Sequence, residues 1–214
     1  MPLIPEASPG SFWVGDVPAD DTVVSFEDET GDEADLSAFT GAEADLIDPN
    51  GDEVEAALAP LIVADTVEIL WPDYTVFEIA GIYQIVVRFQ HGGDNFVTAE
   101  SIGFVVQERS GWHSMFSARQ QWADATGLSD VELYTALEAA KVACVEYAPT
   151  LEEGAPIPLA WKQAQLLQAR AIWTITQQDN QNQVGMEGLV IRTYPLDWNI
   201  RQLLRPKTAR PVVR

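Results

Sequence analysis

Pro158–Asn180, PLAWKQAQLLQARAIWTITQQDN, decides how the second half of this 214-residue chain is read. Pro158 suits a first helical turn, where a missing N–H costs nothing. Neither Pro nor Gly occurs from Leu159 to Gln178, and Ala, Leu, Gln, Lys and Arg dominate until Ile172–Thr176. The spacing predicts one helix of roughly 30 Å. Ala160, Ala164, Leu167, Ala171 and Ile175 fall on one stripe, and Leu159, Leu166 and Trp173 form a second apolar ridge. Trp161 and Ile172 widen the coverage, so one small partner helix cannot bury the whole girth. Two readings follow: the centre of a small helical domain, or a helix that also meets a neighbouring subunit.

Working outward, Ser114–Ala125 reads as a short helix ended by Thr126-Gly127. Ser129-x-x-Glu132 is a capping box that opens a helix over Asp130–Ala148, and Pro149 stops it. The stripe Leu133–Leu137–Ala140–Cys144–Tyr147 places the single cysteine on a buried face, and one cysteine excludes an internal disulfide. A loop over Thr150–Ile157 precedes the long helix. Beyond it lie a polar Gln/Asn/Asp run, the turn Gly185–Gly188 and a weakly alternating Leu189–Tyr194 suited to a strand or hairpin arm. Asp197 can cap a short helix, Trp198–Leu204, closed by Arg205-Pro206.

Charge divides the chain. Residues 1–109 hold 23 acids and 2 bases, Arg88 and Arg109, a net of −21; residues 110–214 hold 10 of each, a net of zero. That asymmetry predicts two domains, 1–110 and 111–214, with a boundary near Arg109–Gly111. After Asp197 come Arg201, Arg205, Lys207, Arg210 and Arg214, with no acid among them.

The acidic half carries strand signals. Alternation is clear in Ala42-Ala44-Leu46, Val67-Ile69-Trp71 and Tyr83-Ile85-Val87-Phe89. Shorter runs are Phe12–Val14, Thr22–Phe26, Leu61–Val63, Thr75–Ile79, Asn95–Thr98 and Gly103–Gln107, with an extended lead-in over residues 1–10. Turns at Asp48-Pro49-Asn50-Gly51 and His91–Asn95 separate them. Short strands at regular spacing predict an antiparallel β-sandwich. Gly81-Ile82-Tyr83 at the start of the best strand fits the tyrosine corner of immunoglobulin-like sandwiches, where the phenol reaches back to an upstream backbone group.

The function classes narrow by chemistry. The run Glu27–Asp35 places Asp28, Thr30 and Asp32 at calcium-loop spacing, but Glu33 stands where Gly is needed and no helices flank it. A solvated, mutually repelling loop is the expectation there, and Asp48–Asp52 fails the pattern likewise. The histidines, His91 and His113, do not sit at metal-ligand spacing from each other or from Cys144. No nucleophile elbow, phosphate loop, dinucleotide fingerprint or zincin motif is present. The expectations are therefore no enzyme activity, no cofactor and no metal. The N-terminus lacks the basic flank and apolar core of a signal peptide, and no apolar run reaches bilayer length, so no membrane role is expected.

Read together, the ordered elements of Trp112–Pro211 resemble the head-to-tail adaptor (connector) proteins of long-tailed bacteriophages. The residues that carry the resemblance are the capped helix Ser129–Ala148, the acidic Pro/Gly loop, and Gln163-Ala164, Gln168-Ala169-Arg170 and Trp173 on the long helix. The Gly185–Gly188 turn, Tyr194-Pro195-Leu196 and Trp198–Pro206 with its Leu-Leu-Arg-Pro ending complete the set. The resemblance implies a helical bundle with a short hairpin and a basic C-terminal tail. It further implies a virion protein of the neck, made in the bacterial host cytoplasm. Its homo-oligomeric ring, a dodecamer by that resemblance, would join the portal to the tail-side stopper and pass DNA without reading its sequence. It implies portal contacts at Trp198, Arg201, Leu204, Arg205, Lys207, Arg210 and Arg214. Subunit contacts are expected at Trp161, Leu166, Arg170 and Trp173. The usual adaptor lacks a large β-domain; the first half loosely resembles the sandwich that begins some baseplate and tail proteins, and its charge suits the outside of a ring. The alternative is a tail or baseplate module whose sandwich contacts a receptor or glycan, with Trp71-Pro72-Asp73-Tyr74 as its candidate loop.

Overall fold

The computed structural model describes residues 3–6, 9–55, 58–92, 95–152, 154–181 and 196–205. The chain divides into two compact units, Met1–Arg109 and Ser110–Arg214, at the place where the charge changes.

The first unit holds ten strands: β1 (Ile4–Pro5), β2 (Ser11–Trp13), β3 (Thr22–Glu27), β4 (Gly41–Ile47), β5 (Glu53–Val54), β6 (Ala59–Val63), β7 (Thr66–Leu70), β8 (Gly81–Gln90), β9 (Phe96–Thr98) and β10 (Ile102–Gln107). One sheet runs β1-β3-β7-β6. The other runs β2-β10-β8-β4-β5, with β9 also against β8. Pairing is antiparallel except between β2 and β10. Strand alternation places Val24 and Phe26 of β3, Val67 and Ile69 of β7, and Tyr83, Ile85, Val87 and Phe89 of β8 in one shared core.

Two expectations change here. Residues 3–6 are not a lead-in: Leu3 is buried, and Ile4–Pro5 pairs with Glu27 and Phe26. The chain then crosses to the other sheet as β2, so an all-antiparallel description does not hold. Residues 75–79 form no strand. They carry the chain from β7 in one sheet to β8 in the other, and they drop Val76 and Phe77 into the core on the way.

The tyrosine corner is present. Tyr83 Oη donates to the Ile79 carbonyl at 3.2 Å, closing the segment that leads into β8. Beside it, Gly81 adopts φ 153° under the ring of Pro49. One backbone position carries strain: Ala64 has φ 55° in the two-residue turn that joins the paired Val63 and Thr66. Glycine removes the Cβ clash there but adds freedom to the unfolded chain. Ala64→Gly is therefore expected to stabilise the unit by a net of about 0.5 kcal/mol, read as a higher urea midpoint.

The second unit contains α1 (Met115–Gln121), a 3-10 turn over Ala123–Gly127, α2 (Asp130–Tyr147), α3 (Leu159–Gln181) and α4 (Trp198–Leu204). The expected Ser114–Ala125 helix is interrupted at Trp122, whose backbone is extended, and continues as the 3-10 turn. The Ser129/Glu132 capping box forms, with Ser129 N–H donating to Glu132 Oε2 at 2.9 Å and Glu132 N–H donating to Ser129 Oγ at 3.3 Å. Asp197 stands at the N-cap of α4 without a side-chain capping bond. The expected Gly185–Gly188 turn and Leu189–Tyr194 arm lie outside the described residues.

The face that α3 buries differs from the expected stripe. Trp161, Ala164, Gln165, Leu166, Gln168 and Ala169 are buried, whereas Leu159 is 79% and Leu167 36% exposed. At 100° per residue this is roughly a quarter turn from the stripe through Ala160, Leu167 and Ala171. Two glutamines account for the difference. The Gln165 side chain accepts from His113 N–H at 2.9 Å and donates to the Leu137 carbonyl at 3.1 Å.

Candidate functional site

The residues expected to meet neighbouring subunits are engaged within the chain. Trp161 is buried with Ala164, Cys144, Ile200 and Leu204 and stacks on Trp112, ring centroids 6.4 Å apart. Leu166 is 5% exposed. The Arg170 guanidinium donates to the Gln121 carbonyl and lies over the Trp122 ring. Trp122 in turn meets Trp173 edge to face at 5.8 Å. These four residues fasten α3 to the end of α1 and to the core between α2 and α4, so Trp161 and Leu166 have no free surface to offer a neighbour.

The residues expected on a portal contact separate into two sets. Leu204 is 1% exposed and Ile200 3%; both point into the core, so Leu204 anchors the helix rather than meeting a partner. Trp198, Arg201 and Arg205 are exposed and fall on another side of the helix, centred roughly 110° from Ile200 and Leu204. At 100° per residue these three span roughly 60° of the helix circumference. Trp198 is 65% exposed. The Arg201 and Arg205 guanidiniums lie 5.8 and 4.9 Å from the centre of the same Tyr147 ring, at the end of α2. A shared aromatic ring draws in both cations without using a carboxylate. Lys207, Arg210 and Arg214 lie outside the described residues.

Three other cations, by contrast, are held by carboxylates. Arg88 is held by Asp45 at 2.8 Å and Glu43 at 3.5 Å, Arg119 by Asp130 at 2.7 Å, and Lys141 by Glu138 at 3.0 Å. Among the described residues, no ion pair joins Arg201 or Arg205 to a carboxylate.

The acidic loops of the first unit use their carboxylates on their own backbone. Asp28 Oδ1 accepts from the N–H groups of Thr30 at 2.7 Å and Asp32 at 3.2 Å. Asp48 Oδ1 accepts from Asn50 at 2.8 Å and Asp52 at 2.9 Å. Gly31 and Gly51 take positive φ at matching positions, so DETGD and DPNGD are the same closed turn. Charge repulsion alone does not predict that order. Among the described residues, no group of three metal-ligating side chains comes together, and no helix is long and apolar enough to cross a membrane.

Two opposed shifts follow from this crowding. A shared hydrogen bond with Glu6 and repulsion from Glu6, Asp28 and Asp32 raise the Glu27 carboxyl above its ordinary range. Hydrogen bonds from Thr30 lower Asp28, and those from Ser37 lower Asp35. The raised group penalises the fold above its folded pKa, and the penalty lifts as the pH falls through it. The lowered groups stabilise the fold above their unfolded values, and that support is lost as the pH falls through their folded values. The first unit is therefore expected to be most stable at about pH 4–5 rather than at neutrality. A thermal-unfolding series against pH checks this.

Burial raises the Cys144 thiol to about 12, which makes it a packing residue with no thiolate at neutral pH. His113 is partly buried at the start of α1, where burial and Lys162 lower its pKa, and its Nδ1 lies 3.0 Å from Ser117 Oγ. Trp71, the aromatic expected on a glycan-reading loop, is in the core. It donates to Thr22 Oγ1 at 2.9 Å and meets Phe12, Phe77 and Phe104 edge to face. Only Tyr74 of that loop is an exposed aromatic. It borders a cleft of about 600 Å³ with Asp48, Asp52, Glu53 and Glu78.

Sequence reasoning grouped Trp198, Arg201 and Arg205 and gave no role beside them to Tyr147, which it placed on the buried stripe of α2. Its partners come from an element some fifty residues away, so local pattern gives no signal for it.

No family model matches the chain, and no curated protein matches it. Among solved structures, the filamin domain of Lin-41 matches at 19% identity and a TM-score of 0.29, over 47% of this chain and 86% of that one. PcoC, a methionine-rich copper resistance protein from Escherichia coli, matches at 14% identity and a TM-score of 0.30, over 50% of this chain and 100% of that one.

Proposed function

We propose that the chain is a structural subunit of a phage head-to-tail adaptor ring, joining the portal to the tail-side neck proteins around a DNA channel. The observation that carries the reading is the outward face of α4. A seven-residue helix is anchored by Ile200 and Leu204 while, among the described residues, no ion pair commits its two Arg side chains to an acid and its Trp stays exposed. Such a face suits an anchor that docks on another assembly. The near-neutral second half suits a channel wall that does not grip DNA, and the −21 half suits the outside of the ring. We read the two-sheet unit as an immunoglobulin-like sandwich on the strength of its tyrosine corner and its core shared by two sheets.

Buried Trp161 and Leu166 move the subunit interface away from those side chains. The exposed Val142 and Val145 of α2, each 54% exposed, are the more suitable surface for a ring neighbour. The test is imaging of the assembled particle. The reading expects this chain as a ring at the neck, with α4 against the portal. Density for it elsewhere on the particle, or α4 facing solvent there, overturns it.

A further inference from the structure

We infer that the Trp198–Arg201–Arg205 face of α4, backed by Tyr147, is a docking surface for an acidic segment of a partner protein. The inference rests on the adaptor reading for the identity of that partner; the chemistry stands on the face itself.

Three observations converge. First, the face is built. Arg201 and Arg205 sit one helical turn apart on the same side of α4, and Tyr147 collects both guanidiniums within 5.8 Å of its ring centre. Holding two long side chains in place beforehand removes part of the ordering cost of binding. Second, the charge is unanswered. In a chain with 33 acids, no ion pair among the described residues joins either guanidinium to a carboxylate. The residues that follow offer none, because no acid occurs after Asp197. Third, Trp198 stands 65% exposed next to them, on a different side of the helix from Ile200 and Leu204. An exposed Trp flanked by Arg is the composition that dominates binding energy at protein interfaces.

The complement is a segment with two carboxylates about one helical turn apart, each taking a guanidinium fork, and an apolar side chain beside them for the indole. DNA phosphate is the competing anion. It is disfavoured because a phosphate track needs a row of cations, whereas this face offers two beside a large apolar ring. At physiological salt the screening length is about 8 Å, so the acidic first half repels an acidic ligand only at close range.

The full chain at physiological salt is titrated with three probes: a short helical peptide carrying Glu-x-x-x-Glu beside leucine, the same peptide with Gln for Glu, and a duplex DNA fragment. The readout is the indole N–H resonance of Trp198, identified by its loss in Trp198→Phe. The expected result is a shift with the Glu peptide alone. Arg201→Gln combined with Arg205→Gln should weaken that binding by about tenfold or more, while Arg201→Lys with Arg205→Lys keeps a measurable part of it. Thermal unfolding shows whether each variant is folded, and the Lys pair keeps the test open should the Gln pair unfold. No shift with the Glu peptide, an equal shift with the Gln peptide, or a larger one with DNA overturns the inference. Particle imaging separates the two proposals. A Glu-peptide shift from a chain found away from the neck sinks the adaptor reading alone, and a neck ring without the shift sinks the acidic partner alone.

Discussion

Gly81→Ala is expected to destabilise the first unit by about 3 kcal/mol or more, enough to lower its unfolding temperature sharply and leave the helical unit folded. Two costs combine. The φ of 153° is a backbone conformation that residues with a side chain rarely adopt. A Cβ built there would sit 2.4 Å from Pro49 Cγ and 2.5 Å from Pro49 Cβ. Neither atom can swing away, because the pyrrolidine ring is rigid and Pro49 lies in the closed turn pinned by Asp48. Relief requires the β4–β5 turn to lift off the start of β8. That shift would disturb Tyr83, whose phenol bonds to Ile79 two residues upstream of Gly81. Hydrogen exchange read on peptides from each unit distinguishes the outcomes. Protection should fall through β8, β10 and β4, and persist through α2 and α3. An alanine variant with unchanged protection in β8 would mean that Pro49 moves at little cost.

How much of this was legible beforehand depends on which residues carry the signal. The β8 register could be read because Tyr83, Ile85, Val87 and Phe89 alternate without a break, and all four are buried. Gly81 and Tyr83 could be read as a corner because the motif is local. The Ser129/Glu132 box could be read for the same reason. The pairing of Ile4–Pro5 could not be: its partners, Phe26 and Glu27, are some twenty residues away, and two residues of strand leave no period to detect. Thr75–Ile79 misled because β-branched and aromatic residues suit a strand and also suit a core-filling bend. On the candidate face, Trp198, Arg201 and Arg205 share one helix side and could be grouped from spacing. Leu204 joined them by motif alone, and the structure places it on another side. Trp161 and Leu166 are buried within the chain itself, and because apolar residues cover most of α3, periodicity could not say which side the chain would bury.

The rotation of α3 singles out Gln165 as a polar residue whose loss the helical unit tolerates poorly. Hydrophobic patterning discards glutamine from a core, yet this side chain is fully buried and makes one bond in each direction, to His113 N–H and to the Leu137 carbonyl. It thereby ties the start of α1 and the middle of α2 to α3. Gln165→Leu keeps the volume and removes both bonds, leaving the His113 N–H without its partner. The expected loss is about 2–3 kcal/mol. Gln165→Glu should cost more at neutral pH. Its carboxylate can still accept from His113 N–H, but it faces the Leu137 carbonyl with no proton to donate and has lost its hydration. Burial would raise that carboxyl's folded pKa above its unfolded value. The penalty is then present above the folded pKa and is relieved as the pH falls through it, when a proton restores the donor. Thermal unfolding of the helical unit against pH separates the two variants. The Leu variant should run parallel to the parent chain, and the Glu variant should converge on the parent toward acid. Two parallel curves would show that water, rather than the carboxyl proton, satisfies the Leu137 carbonyl.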